Sequence, residues 1–480
     1  MIAAGGEATP LDAYARDTLQ RLPLADATLS LWAYVLEPLF LAQVFVQYRG
    51  RSFEDTLTFA RFVDLIGEAL LEHEGSGRQS FTRAKEHGTL PTSSEAVYGK
   101  LRRVPLSLSL GFFIAGTARL RALLPPLHLA AALPVSVADL SVVVGDGKTL
   151  KRVAKRLLPA RRAAGKVYGG KLLVAFLPRE GVAAAMVADP DGERNECRLV
   201  PQLVEQTRQV VSGPRLWVLD RQFCDLVQTA RCIEDGDHFL IRYHTKVHFL
   251  RDATLPSQVT QDAHGRTVRE DWGWLGVETN ARRRFVRRLT LLRPGEETII
   301  LVTDLQDACR YPAGDLLTVY LARWGIERVF QQITEVFALR HLIGSTPQAT
   351  VFQAAFCLLL YNMVQVMRGY IAVAQPQPCL AEEVSAEQLF YDVQRELTAV
   401  SVLVPPPMVA AAYAEELSRE ALCQRLHSLL SSLWTPRWRK AVNAKPRPKV
   451  AKAKQSGAHT SMHRLLERAR QEHCTETAAA

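Results

Sequence analysis

"LSVVVGDGKTL", residues 140–150, is a short β-branched run that ends in Gly-Asp-Gly. Branched side chains suit the pleated, buried surface of a strand, and the glycines interrupt it. The reading is a buried strand with Asp146 at its tip. "RLWVLDRQF", residues 215–223, has the same shape and reaches Asp220 where the apolar run stops. Between the two, "KLLVAFLP" and "VAAAMVADP" read as further strands, the second closed by the turn signal "DPDG", and "LVPQLVEQTRQVV" reads as a helix. Helical "CDLVQTARCIED" and the strand "HFLIRYH" complete an α/β pattern with a mixed sheet. Crevices of such sheets open at strand C-termini, so an acid there is either a turn residue or part of a site. Flanking glycines keep the turn reading open for Asp146, whereas "LDRQF" is no turn sequence.

Working outward, residues 1–130 read as helical, with apolar positions at three- and four-residue spacing in "TLSLWAYVLEPLFLAQVF" and "FARFVDLIGEALLEH". A basic stretch, 78–103, carries Arg78, Arg83, Lys85, Lys100, Arg102 and Arg103. The Pro-rich "LLPPLHLAAALP" at 124–134 marks a domain edge. Residues 135–350 are the expected catalytic domain; within it, 244–304 alternate apolar and polar residues as a β-rich insertion. Residues 351–436 read as helical, and 437–480 as a flexible basic tail, whose 437–454 segment has eight Lys or Arg and no acid.

"YLARWGIERVFQQITEVFALRHL", residues 320–342, reads as one long helix. At about 100° per residue, Tyr320, Arg323, Glu327 and Thr334 fall within a sector of roughly 80°, apart from the apolar Val319, Ile326, Phe330, Ile333 and Phe337. A plain solvent-facing ion pair between Arg323 and Glu327 is the simplest account of that polar face. Two strand-tip Asp residues and a helix Glu together make a site for two Mg²⁺ or Mn²⁺ ions, which take oxygen ligands and assist phosphodiester cleavage. Arg323 and Tyr320 beside the Glu are then placed to hold phosphate oxygens. Asp304, Asp307 and Asp315 compete for the third acidic position; Asp304 also ends a strand, but lacks a neighbouring Arg and Tyr.

"VVVGDGKTL", "WVLDRQF" and "YLARWGIERVFQQITEVFALRHLIGS" resemble the Asp-Asp-Glu transposases of bacterial insertion sequences, in the IS-four-like group. That group is marked by Tyr, two residues, Arg, three residues, Glu, six residues, Lys; Tyr320, Arg323 and Glu327 match, and Thr334 stands where the family has Lys. The resemblance covers about 135–365. It implies an RNase H-like core, a β insertion between the second Asp and the Glu, and cut-and-paste transposition through a DNA hairpin. It also implies that Asp146, Asp220 and Glu327 are metal ligands, and that Tyr320, Arg323 and the position of Thr334 contact DNA. Arg221 is a further phosphate contact or a surface ion pair. Trp272 and Trp274 are positioned either to stack on a flipped base or to pack in the strands. Partners would be double-stranded DNA, both terminal inverted repeats and target, bound by a homodimer. An RNase H-like nuclease without strand transfer, or an inactive DNA-binding descendant, shares the same acids; Thr334 is the feature that speaks for the latter.

The bulk properties agree with a nucleic-acid partner. The chain has 480 residues and a net charge of +10, which favours polyanions. Eight scattered cysteines form no C-x-x-C pair, which argues against a zinc knuckle or a redox motif. Polar residues interrupt the two most apolar stretches, and the amino end lacks a signal-peptide pattern, so a cytoplasmic, nucleoid-associated protein is expected, with no membrane partner.

Overall fold

The computed structural model describes residues 10–479, apart from 127–129, 152, 263–264, 294, 296, 376–378, 416 and 441–456. Seven helices come first: α1 (Pro10–Gln20), α2 (Pro23–Val35), α3 (Pro38–Tyr48), α4 (Phe59–Leu71), α5 (Gly77–Glu86), α6 (Ser94–Arg103) and α7 (Leu106–Arg121). Next are β1 (Ser141–Thr149), α8 (Leu158–Arg161), β2 (Lys166–Tyr168), β3 (Lys171–Leu177), β4 (Val182–Asp189), α9 (Val200–Val210), β5 (Arg215–Leu219), α10 (Leu226–Arg231) and β6 (His238–Arg242). The insertion supplies β7 (Phe249–Arg251), β8 (Gln258–Gln261), β9 (Thr267–Leu275), β10 (Arg284–Leu291) and β11 (Ile299–Thr303). After it come α11 (Ala313–Ala322), α12 (Trp324–Glu335), α13 (Pro347–Val373), α14 (Ala386–Leu403), α15 (Pro406–Ala412), α16 (Arg419–Leu430), β12 (His459–Ser461) and α17 (Met462–Ala479).

The chain divides into two compact units. Residues 131–150 and 170–330 form the sheet unit. Its strand order is β4-β3-β1-β5-β6-β11-β10-β9-β7, with β8 on β9. Strands β1, β5 and β6 run parallel, while β3 is antiparallel to β1 and β4 to β3. A central parallel trio with an antiparallel hairpin on one side is the RNase H-like arrangement. The mixed α/β reading therefore holds, and each strand read from 141–242 is present. The β-rich insertion is not a separate layer: β11 pairs with β6, so it extends the same sheet. On α9, Val200, Leu203, Val204 and Thr207 recur at helical spacing, and they are the residues it buries.

One hub fixes where β5 begins. Asp237 is 2% exposed; it accepts hydrogen bonds from Arg215 N at 3.0 Å, Arg215 Nε at 2.8 Å and Trp217 Nε1 at 3.1 Å. Arg208 of α9 donates to it as well, at 3.1 Å. A buried carboxylate so fully partnered locks the register of β5 against β6, and hence the height at which β5 ends.

The other unit joins residues 1–130, 151–169 and 331–480. The helical regions at the two ends of the chain are thus one body rather than two. Its axis is α13, the one described helix long and apolar enough to cross a membrane, yet wholly buried among its neighbours. Phe352 and Phe356 of α13 pack against Phe112 of α7, with ring centroids 5.6 and 5.4 Å apart. This packing supplies the apolar surroundings that the sequence of α13 requires.

Two expectations need correction. Residues 320–342 are not one helix, because α11 ends at Ala322 and α12 at Glu335. Arg323 makes the break: its N–H bonds to Tyr320 O and its carbonyl accepts from Ile326 N, both at 3.1 Å and three residues apart, which tightens one turn. The far end stops where Ala338 takes φ +58° and Leu339 N bonds back to Ile333 O at 3.1 Å. The stretch 437–480 is not a uniform flexible tail either. Most of its basic segment, 441–454, lies outside the described residues, but β12 pairs with β2 and α17 follows as an 18-residue helix.

Candidate active site

Gly145 and Leu219 are the last parallel pair between β1 and β5, so Asp146 and Asp220 follow at equal height on neighbouring strands. Asp146 is not beyond its strand, as the sequence reading had it. It lies inside β1, which continues to Thr149 against β3 alone, with Asp146 opposite Val174. Asp220 does leave β5, and its carbonyl accepts from Phe223 N at 3.0 Å in the turn that follows.

The carboxylates sit in different surroundings. Asp146 Oδ1 accepts from Gly147 N at 2.9 Å, and Oδ2 lies 3.6 Å from Arg323 Nη1. Burial pushes the Asp146 carboxyl up to about 6, with Glu196 and Asp220 adding to the rise and Arg323 and the Gly147 N–H opposing it. Asp220 Oδ1 is buried with no hydrogen-bond partner among the described residues. An orphaned buried carboxylate oxygen is costly unless something completes it.

The third candidate acid comes from the helix pair. Arg323 Nη2 lies 3.0 Å from Glu327 Oε1, so one guanidinium, its side chain 7% exposed, joins Glu327 to Asp146. Gly325 brings α12 close to β3: a Cβ there would lie 2.8 Å from Phe176 Cε1. Tyr320 is buried, its Oη has no hydrogen-bond partner among the described residues, and burial raises its phenol above the ordinary range. Glu327 is partly exposed, and beside it Trp324 is a surface aromatic at 49% exposure. Thr334, on the last turn of α12, falls in the other unit.

The rival acids are already engaged. Asp304 accepts from Phe239 N at 2.8 Å and meets His238 Nδ1 at 2.7 Å. Asp307 caps Cys309 N and Arg310 N, and Asp315 accepts from Ser136 at 2.6 Å. Arg221 is exposed and 4.0 Å from Glu297, which Arg242 holds at 2.8 Å. The two tryptophans are tied up in packing. Trp272 donates its indole N–H to Gln306 O at 3.3 Å, and Trp274 lies edge-on to Phe285 under the Arg283 guanidinium.

Sequence reasoning missed four residues. Lys148 donates to Phe330 O at 3.1 Å; Trp324 is exposed at the break; Arg242 points to the same Glu297 as Arg221; and Glu196 lies against Gly147. Trp324 and Lys148 sit inside the motifs and were legible there. Glu196, in the loop after β4, has no spacing signal that links it to Asp146.

Among the described residues no three Asp, Glu, His or Cys side chains form a ready metal-ligand set. The donors nevertheless fit a hard divalent cation: they are all carboxylate oxygens, one of them is an orphan, and Arg323 supplies positive charge between two of the acids.

The transposase DDE domain family has a model that matches residues 138–363. Transposase InsG for insertion sequence element IS4, from Escherichia coli (strain K12), is 25% identical over 179 residues, 36% of this chain. The match covers 38% of that relative's length. A cryo-EM structure of the piggyBac transposase synaptic complex with hairpin DNA aligns with 84% of this chain and 85% of its own, at 10% identity and a TM-score of 0.37. Residues 138–363 are thus similar to the transposase DDE domain family, and that span holds Asp146, Asp220 and Glu327.

Proposed function

We propose that this protein moves a bacterial insertion sequence by cut and paste, nicking each element end, forming and opening a DNA hairpin, and joining the freed 3′-OH to target DNA. The observation that carries this reading is the equal height of Asp146 and Asp220, with Glu327 joined to Asp146 through Arg323. Asp146, Asp220 and Glu327 would hold two Mg²⁺ or Mn²⁺ ions. Such a pair, when bound, activates the attacking oxygen and stabilises the leaving one.

The chain's own residues do the rest. Arg323 releases the carboxylates and turns its donors to a phosphate, whose oxygens a planar guanidinium can bind in bidentate fashion. The Tyr320 hydroxyl, buried beside Arg323, donates to a second phosphate oxygen. Arg221 binds the backbone next to Asp220 after parting from Glu297. Trp272 and Trp274 remain in their strands, and the exposed ring of Trp324 offers a face for an unstacked base. Thr334 supplies a hydroxyl in place of an ammonium, so the contact there is short-range and neutral.

End recognition falls to the amino-terminal helices. Of the basic residues in 78–103, Arg83 pairs with Glu72 at 2.9 Å and Lys100 folds over the Phe45 ring, which leaves Arg78, Lys85, Arg102 and Arg103 exposed. Cutting two ends in concert calls for a homodimer on DNA, acting in the bacterial cytoplasm. The test is Mg²⁺- or Mn²⁺-dependent cleavage of a labelled duplex carrying the flanking ends of the gene. Hairpin products that Asp146→Ala and Glu327→Ala abolish, with DNA binding retained, support the reading; binding without cleavage by the wild type rejects it.

A further inference from the structure

Asp146 and Asp220 are held by different means. Asp146 is inside a paired strand, whereas beyond Leu219 no strand pairing fixes Asp220. Glu196 contacts the segments that carry both. Its Oε2 accepts from Gln222 Nε2 at 2.5 Å, two residues after Asp220, and its Oε1 lies 3.3 Å from Lys171 Nζ. Lys171 begins β3, opposite Thr149 of β1. The neighbouring Cys197 donates its thiol to Gln222 O at 3.3 Å, so the turn after Asp220 is gripped by side chain and backbone alike.

Gly147 supplies an independent observation. A Cβ built on it would lie 2.1 Å from Glu196 Oε2 and 2.2 Å from Cδ. Its φ is not among the positive ones, so backbone conformation does not call for glycine. Space for the Glu196 carboxylate does.

We propose that Glu196 is a positioning residue for the acid pair, a carboxylate strut that ties the β1–β3 edge to the turn after β5 and sets the spacing of Asp146 and Asp220. This rests on the metal-holding reading of those two acids. A ligand's supporting partners matter because they hold its oxygens at the spacing an ion needs, and losing one typically costs about 10–100-fold in metal affinity.

The experiment measures Mn²⁺ binding to the full-length protein by the electron paramagnetic resonance signal of free Mn²⁺, with thermal unfolding and duplex cleavage against Mn²⁺ concentration on the same samples. Glu196→Ala is expected to weaken Mn²⁺ binding about tenfold or more and to raise the Mn²⁺ needed for half-maximal cleavage equally, with the rate at saturating Mn²⁺ much less affected. Glu196→Gln, which can still accept from Gln222, should fall between. Gly147→Ala should imitate Glu196→Ala by displacing the carboxylate. Gln222 is exposed, so Gln222→Ala tests the strut without unfolding the core, and should weaken Mn²⁺ binding at an unchanged melting temperature. If Glu196→Ala and Gln222→Ala bind Mn²⁺ as tightly as wild type, the strut is overturned and the metal site stands. If the wild type binds no Mn²⁺ and cleaves in none, the metal-holding reading falls and the strut with it.

Discussion

Arg323 Nη1 lies 3.6 Å from Asp146 Oδ2, a cation facing a carboxyl that burial drives toward its neutral form. Burial makes the acid costly to ionise in the fold, and the guanidinium offsets only part of that cost. Burial raises Asp146 from 3.8 to about 6, so between those values the folded protein binds more protons than the unfolded chain, and stability falls as pH rises through that window. Asp146→Asn removes the ionisation. It should stabilise the protein at pH 7 by about 1–3 kcal/mol and change little at pH 4, as read by denaturant unfolding at both values. Equal effects at both would mean that the carboxylate is not desolvated.

The choice between Glu327 and Asp304 can be settled by two substitutions. Asp304→Ala breaks the bonds to Phe239 N and His238 and should lower the melting temperature while cleavage persists below it. Glu327→Ala should abolish cleavage by more than about a hundredfold while leaving the fold intact. The reverse pattern would transfer the third ligand to Asp304.

Asp237 is a purely structural acid, and it predicts a different phenotype. Asp237→Ala leaves Arg215 and the Trp217 N–H buried without their acceptor, which should cost on the order of 3–5 kcal/mol. Chemical denaturation would show this as a shift in midpoint. A shift under 1 kcal/mol would show that the hub relaxes or admits water.

Glu297 pairs with both Arg221 and Arg242, the first of which the proposed function assigns to the DNA backbone. Arg221→Ala should weaken duplex binding for every sequence and reduce the slope of log affinity against log salt by about one. Glu297→Gln should strengthen binding at low salt, because it frees both guanidiniums. An unchanged slope in Arg221→Ala would leave that arginine a surface residue.

Much of this was legible in the chain itself. Local chemistry alone marks β1 and β5: branched residues that pleat, then an acid where the apolar run stops. The Tyr320, Arg323, Glu327 spacing is likewise a property of helical geometry over eight residues, and the small break at Arg323 left Arg323 and Glu327 in contact. Burial periodicity also separated the helical regions from the sheet.

Other features needed distant partners. That Asp146 and Asp220 end at equal height follows from the register Gly145 with Leu219, a pairing that no local pattern encodes. The insertion's place in the main sheet depends on β11 finding β6, and the engagement of Asp304 by His238 depends on that same neighbouring strand. Glu196 reaches Gly147 only because the segment after β4 folds back toward β1. Periodicity reports which face of an element is buried, because that depends on a few residues in sequence. Which buried faces meet is decided by packing and register across the whole domain, and so by the tertiary structure alone.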